Sequence, residues 1–163
     1  MKTILLFILL LSVQSFAQID VNCWDGSCLQ KGWTWKNYGT SESIDYGCYR
    51  DGCETSGWIV GNLARKSYTQ CKHQNCFKNG WYEIDQQTQN VIREIVCRKP
   101  GERSSNDCYQ HGWVSYTSTG IETVTTCRGH DCKNSGWTEQ SKTKTTRIHC
   151  KEGGCFQTGW TEY

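Results

Sequence analysis

The chain has 163 residues, with 18 Lys and Arg against 16 Asp and Glu, and it contains 12 Cys, 8 Trp, 16 Gly and a single Pro. The near-balance of charge excludes a histone-like nucleic-acid binder or an acidic tail, because such proteins carry a clear excess of one sign. The polar composition excludes a polytopic membrane protein.

Residues 1–17 have the pattern of a secretory signal. Lys2 gives a positive start, Ile4 to Val13 an apolar stretch, and Ser15-Phe16-Ala17 small residues before a cut ahead of Gln18. The apolar stretch is too short to cross a bilayer, which takes roughly 20 residues. The expected product is therefore a secreted protein, periplasmic or extracellular, with no membrane span after signal removal. All 12 Cys fall in this mature part, an even number. In an oxidising compartment they are expected to pair.

The mature chain repeats one pattern six times: Cys, a short gap, Cys, three residues, Gly-Trp. The copies are Cys23 and Cys28 with Gly32-Trp33, Cys48 and Cys53 with Gly57-Trp58, and Cys71 and Cys76 with Gly80-Trp81. They continue as Cys97 and Cys108 with Gly112-Trp113, Cys127 and Cys132 with Gly136-Trp137, and Cys150 and Cys155 with Gly159-Trp160. The gap between paired Cys is four residues, except in the fourth copy, where it is ten. The repeat uses every Cys and places Trp 25, 23, 32, 24 and 23 residues apart. One domain spanning 18–163 is expected.

Each interval from Trp to the next Cys holds two strands of about five residues and a turn. The β-branched runs Ile121–Thr126 and Lys142–Ile148 read as strands, and Val91–Val96 as a strand or a short helix. Asn37-Tyr38-Gly39-Thr40, Gly61-Asn62 and Ser118-Thr119-Gly120 read as turns. The expected fold is all-β: an elongated, solenoid-like or extended-meander array of six disulfide-clamped hairpins. Aliphatic residues are scarce, so a ladder of Trp33, Trp58, Trp81, Trp113, Trp137 and Trp160 is expected to supply the core. Pairing of Cys within each copy is the simplest connectivity, and pairing between adjacent copies is its rival; spacing alone does not choose. Structural zinc is disfavoured by the wide Cys gaps and by export, and no metal or other cofactor is expected.

No catalytic motif is present, His73, His111, His130 and His149 fall at unequal repeat positions, and the acidic residues show no acid–base pair. The chain reads as a non-enzyme, since short-repeat proteins present surfaces. Two surfaces stand out. Lys72, Arg98, Arg128 and Lys151 each follow a first Cys, with Arg50 one place later in another copy, so stacked copies would align them as a basic stripe. Trp24 and Trp35 lie off the repeat register and are candidate exposed aromatics, as are Tyr38, Tyr49, Tyr82 and Tyr109. The expected function is binding of a glycan or an anionic envelope polymer, with no nucleic-acid partner. The alternatives are a structural extracellular or envelope subunit assembling end to end, and a small secreted effector or inhibitor.

The stretch Lys78-Asn79-Gly80-Trp81-Tyr82-Glu83-Ile84-Asp85 resembles the Gly-Trp hairpins of choline-binding, cell-wall-anchoring repeats. That resemblance implies successive β-hairpins carrying aromatic residues. It transfers no ligand residues, and those repeats lack the paired Cys.

Overall fold

The computed structural model describes residues 18–61, 66–99 and 107–163. The expected signal segment 1–17, part of the second hairpin turn including Asn62, and most of the insertion in the fourth Cys pair lie outside the described residues. Twelve strands form there: β1 (Ile19–Cys23), β2 (Gly32–Asn37), β3 (Glu42–Cys48), β4 (Trp58–Gly61), β5 (Ser67–Cys71) and β6 (Trp81–Asp85), followed by β7 (Val91–Cys97), β8 (Trp113–Thr117), β9 (Gly120–Cys127), β10 (Trp137–Ser141), β11 (Thr145–Cys150) and β12 (Gly159–Glu162). The strand Val91–Cys97 resolves the choice left open by its sequence spacing.

Local chemistry sets the hairpins. The Asn37 side chain accepts hydrogen bonds from the backbone N–H of Gly39 and Thr40, and the Asp85 carboxylate accepts those of Gln87 and Thr88. Ser141 Oγ accepts from Lys144 N–H in the same way. These short polar side chains replace ladder bonds where the chain reverses.

The sheet is a closed antiparallel barrel, which corrects the expected elongated, solenoid-like or extended-meander array. Each strand pairs with its sequence neighbours, and β1 pairs with β12 through Ile19↔Glu162, Asp20↔Thr161, Val21↔Trp160 and Asn22↔Gly159. The physical reason is that copies joined by one register turn through a constant angle, and six of them complete the circle. Across every clamp the register is the same: Cys23↔Trp33, Cys48↔Trp58, Cys71↔Trp81, Cys97↔Trp113, Cys127↔Trp137 and Cys150↔Trp160. Closure leaves the described sheet without an open edge. Five hairpins are continuous, whereas the sixth is assembled from the first and last strands of the chain.

The disulfides join Cys23–Cys28, Cys48–Cys53, Cys71–Cys76, Cys97–Cys108, Cys127–Cys132 and Cys150–Cys155, all within a copy. In five copies the second Cys opens a single helical turn: α1 (Cys53–Ser56), α2 (Cys76–Asn79), α3 (Cys108–His111), α4 (Cys132–Ser135) and α5 (Cys155–Thr158). The sequence reads these segments as loops, because one turn has no periodicity to display. The turns pack in a ring, with backbone bonds such as Cys53 N–H to Leu29 O and Cys28 N–H to Phe156 O passing from copy to copy.

The glycine before each Trp has a structural cause. At Gly80, φ is 82° and ψ −171°, a region open essentially to glycine alone. A Cβ there would overlap the carbonyl oxygen of Ile95, two residues before the next clamp. The same overlap with the same repeat position recurs at the other five copies, including Gly159 against Val21 across the closure.

Candidate functional site

An eight-stranded barrel is just wide enough for ordinary side chains to fill, and twelve strands leave a wider lumen. Alternation along β2, β4, β6, β8, β10 and β12 points the repeat Trp and the residue two places on into that lumen. The six indoles form a closed ring. Trp33, Trp58, Trp81, Trp113, Trp137, Trp160 and again Trp33 succeed one another at centroid separations of 5.3 to 6.2 Å. Neighbouring ring planes differ by 49° to 62°, near the sixth of a turn that the six copies impose. Trp58, Trp81, Trp137 and Trp160 are buried, and Trp33 and Trp113 half-buried. Burying each ring gives roughly 4 kcal/mol or more of gross transfer free energy.

The helical end of the lumen is stoppered. Phe77, Tyr109 and Phe156, each following a second Cys, pack together at centroid distances of 4.5 to 5.4 Å. Burial pushes the Tyr109 phenol well above its ordinary value. The hairpin-turn end stays open. A cavity of about 390 Å³ runs from Leu29, Phe77 and Phe156 past all six indoles to a layer of polar residues.

That outer layer carries the charge. Two residues beyond the repeat Trp stand Trp35, Val60, Glu83, Ser115, Glu139 and Glu162, and all six line the cavity. Arg93 and Glu122 join them from β7 and β9. Arg93 lies opposite Glu83 in the ladder and bridges it at 2.6 Å, while holding Glu122 through two nitrogens at 2.6 and 3.0 Å. Ser115 donates to Glu122 at 3.0 Å. The Arg93 hydrogen bonds hold the Glu122 carboxyl below its ordinary value and keep the guanidinium charged.

Glu139 and Glu162 sit differently. Each accepts one indole N–H from its own strand, Trp137 to Glu139 at 3.0 Å and Trp160 to Glu162 at 3.2 Å. Both touch lumen solvent but have protein on nearly every other side. Desolvation raises both carboxyls, outweighing the indole bonds (Trp35 adds one to Glu162), the charge of Arg93 on Glu139 and the distant Lys144. Among the described residues no ion pair reaches either one. The cup therefore combines aromatic walls, a pre-formed polar rim and an excess of negative charge.

The sequence-selected residues fall in three places. The Trp row and the Cys clamps come together as the ring and its support. Trp35 lines the cup instead of the outer surface, and Trp24 sits on the outside, donating from its indole to Thr34 Oγ1 at 2.8 Å. Tyr38 is exposed, Tyr109 is in the stopper, and Tyr82 lies under Lys72, whose ammonium is 4.6 Å from the ring centroid. Arg50, Lys72, Arg98, Arg128 and Lys151 are not gathered into one stripe. They follow alternate strands around the outer circumference, and closure spreads them. Lys72 pairs with Glu94 at 2.6 Å and Lys151 with Asp20 at 2.7 Å, while Arg98 donates to Thr126 and Arg128 meets His149.

The cup residues Glu83, Arg93, Glu122, Glu139 and Glu162 were missed. The signal available was Trp-x-Glu in three copies, at Trp81, Trp137 and Trp160, which strand alternation turns into three carboxylates on one face. Compared with known proteins, the chain matches no family model, no curated protein and no solved structure.

Proposed function

We propose that this protein is a non-catalytic glycan-binding module of an oxidising, extracytoplasmic compartment, taking a sugar residue end-on into the lumen cup. The observation that carries the reading is the cavity walled by a closed ring of six indoles and rimmed by carboxylates. Its volume of about 390 Å³ lies in the range of small-molecule sites. Sugar rings offer C–H faces to aromatic planes and hydroxyls to carboxylates, and this cup offers both together. Six disulfides suit an oxidising location. The excess of carboxylates around the lumen disfavours an anionic polymer there, so the glycan half of the sequence-based expectation is the one retained.

The test is a glycan array probed with the oxidised protein, followed by titration of hits while indole emission is recorded. A saturable emission change is expected, weakened about tenfold or more in Trp35→Ala and unchanged in Arg50→Ala. An array without any hit overturns the reading.

A further inference from the structure

Resting on the glycan reading, we infer that the ligand of the cup carries a protonated primary amine, so that the sugar class recognised is a free amino sugar. Three observations converge on the same space. First, the cavity wall presents six indoles and Trp35, and aromatic faces attract cations most strongly where water is excluded. Second, the polar layer holds Glu83, Glu122, Glu139 and Glu162 against Arg93. Arg93 makes its ion pairs with Glu83 and Glu122 and reaches Glu139 only at longer range, which leaves Glu139 and Glu162 without an ion pair among the described residues. Third, each of these two carboxylates lines the cavity with hydrogen-bond capacity left over, since indole N–H groups occupy a fraction of its lone pairs.

Unused acceptors beside an aromatic wall require a cation that also donates hydrogen bonds. A primary ammonium has three N–H donors on a compact charge. An N-acetyl group has no charge to offer, and a trimethylammonium has no N–H. The ligand also supplies what the fold withholds, a counter-charge for two desolvated carboxylates, so its binding relieves an existing cost. Arg93 acts on Glu139, and Lys144, at the turn between β10 and β11, acts on both groups, each at long range and without an ion pair to either carboxylate among the described residues.

The test is calorimetric titration of the oxidised protein, at a pH where the amine is protonated, with three forms of one short glucosamine oligomer: free amine, N-acetylated and N-trimethylated. The free amine is expected to bind at least about tenfold more tightly than either other form, which corresponds to about 1.4 kcal/mol. Glu139→Gln and Glu162→Gln should each remove most of that preference, with near-ultraviolet circular dichroism confirming that the barrel is retained. If the N-acetylated form binds as well as the amine, the inference fails and the glycan reading stands. Equal binding of the trimethylated form refutes N–H donation to the carboxylates and overturns the primary-amine assignment. If no form binds and the glycan array is also blank, both readings fall together.

Discussion

Substituting Gly159 by Ala tests barrel closure itself. Gly159 begins β12 with φ 105° and ψ −166°. A residue with a Cβ adopts this region at a cost of about 1–3 kcal/mol. That part of the penalty is local and holds whether or not the ends of the chain meet. The second part exists only in a closed barrel. The added Cβ would overlap the carbonyl oxygen of Val21, which belongs to β1 at the other end of the chain. That carbonyl must retreat, loosening a ladder of four registered pairs, at about 1 kcal/mol for each hydrogen bond weakened. The total is about 3–5 kcal/mol. Gly120→Ala is the comparator, because its φ of 107° is also positive but nothing lies within 4 Å of the added Cβ; it should cost about 1–2 kcal/mol. The assay is equilibrium urea unfolding with disulfides intact, followed by indole emission, comparing midpoints at constant m. A Gly159→Ala loss no larger than that of Gly120→Ala would refute closure by β1 and β12.

Trp137, 4% exposed, should cost about 3–5 kcal/mol when replaced by Ala in the same unfolding assay; a loss below about 1 kcal/mol would remove the indole ring as the principal core. Removing the Cys150–Cys155 clamp as a double Ala variant should cost about 2 kcal/mol, and removing the longer Cys97–Cys108 ring about 3 kcal/mol, by loop-closure entropy. The Glu139 carboxyl is raised in the folded protein, so the native state binds a proton more readily than the unfolded chain. Its contribution to stability is therefore greatest at low pH and declines as pH rises from the ordinary carboxylate range through the raised value. Glu139→Gln should abolish that decline and raise Tm at neutral pH by a few degrees, measured by calorimetry across pH. Glu122 has the opposite sign: held low chiefly by Arg93, it favours the fold above the ordinary carboxylate range and loses that effect on acidification. Arg93→Ala should return the Glu122 carboxyl toward its ordinary value, read by carbon-detected NMR titration.

Much of the architecture was legible because each copy declares itself. The Cys–Gly-Trp spacing located the clamps, the β-branched runs located the strands, and the shortage of aliphatic residues pointed to Trp as the core. Closure was not legible for a specific reason: a hairpin in an open array and one in a closed barrel bear the same local pattern. The difference lies in how many copies complete a circle, and neither Ile19 nor Glu162 marks itself as the other's partner. Trp35 lies off the repeat register, and it is strand alternation instead that puts this candidate exposed aromatic on the same face as Trp33. The acidic rim does not show as a cluster in the sequence, because its carboxylates are brought together by the barrel and not by adjacency along the chain. Glu139 and Glu162 are 23 positions apart, and the repeat itself makes them equivalent.

The split hairpin has a consequence for how the molecule folds. Within a hairpin the ladder joins residues such as Trp81 and Ile95, and successive hairpins join across the clamps through contacts such as Cys71 with Trp81, all close along the chain. The closing seam joins Val21 to Trp160. Each doubling of the loop adds only about 0.6 kcal/mol of closure entropy, so the seam costs about 2 kcal/mol more than a continuous hairpin. That modest difference is enough to order events. Five hairpins can zip from local encounters, and the seam then meets a preformed arc whose ends already face each other. Once shut, the ring has no mechanical beginning: linking β12 directly to β1 and cutting at any other hairpin turn would leave the same set of strand pairs.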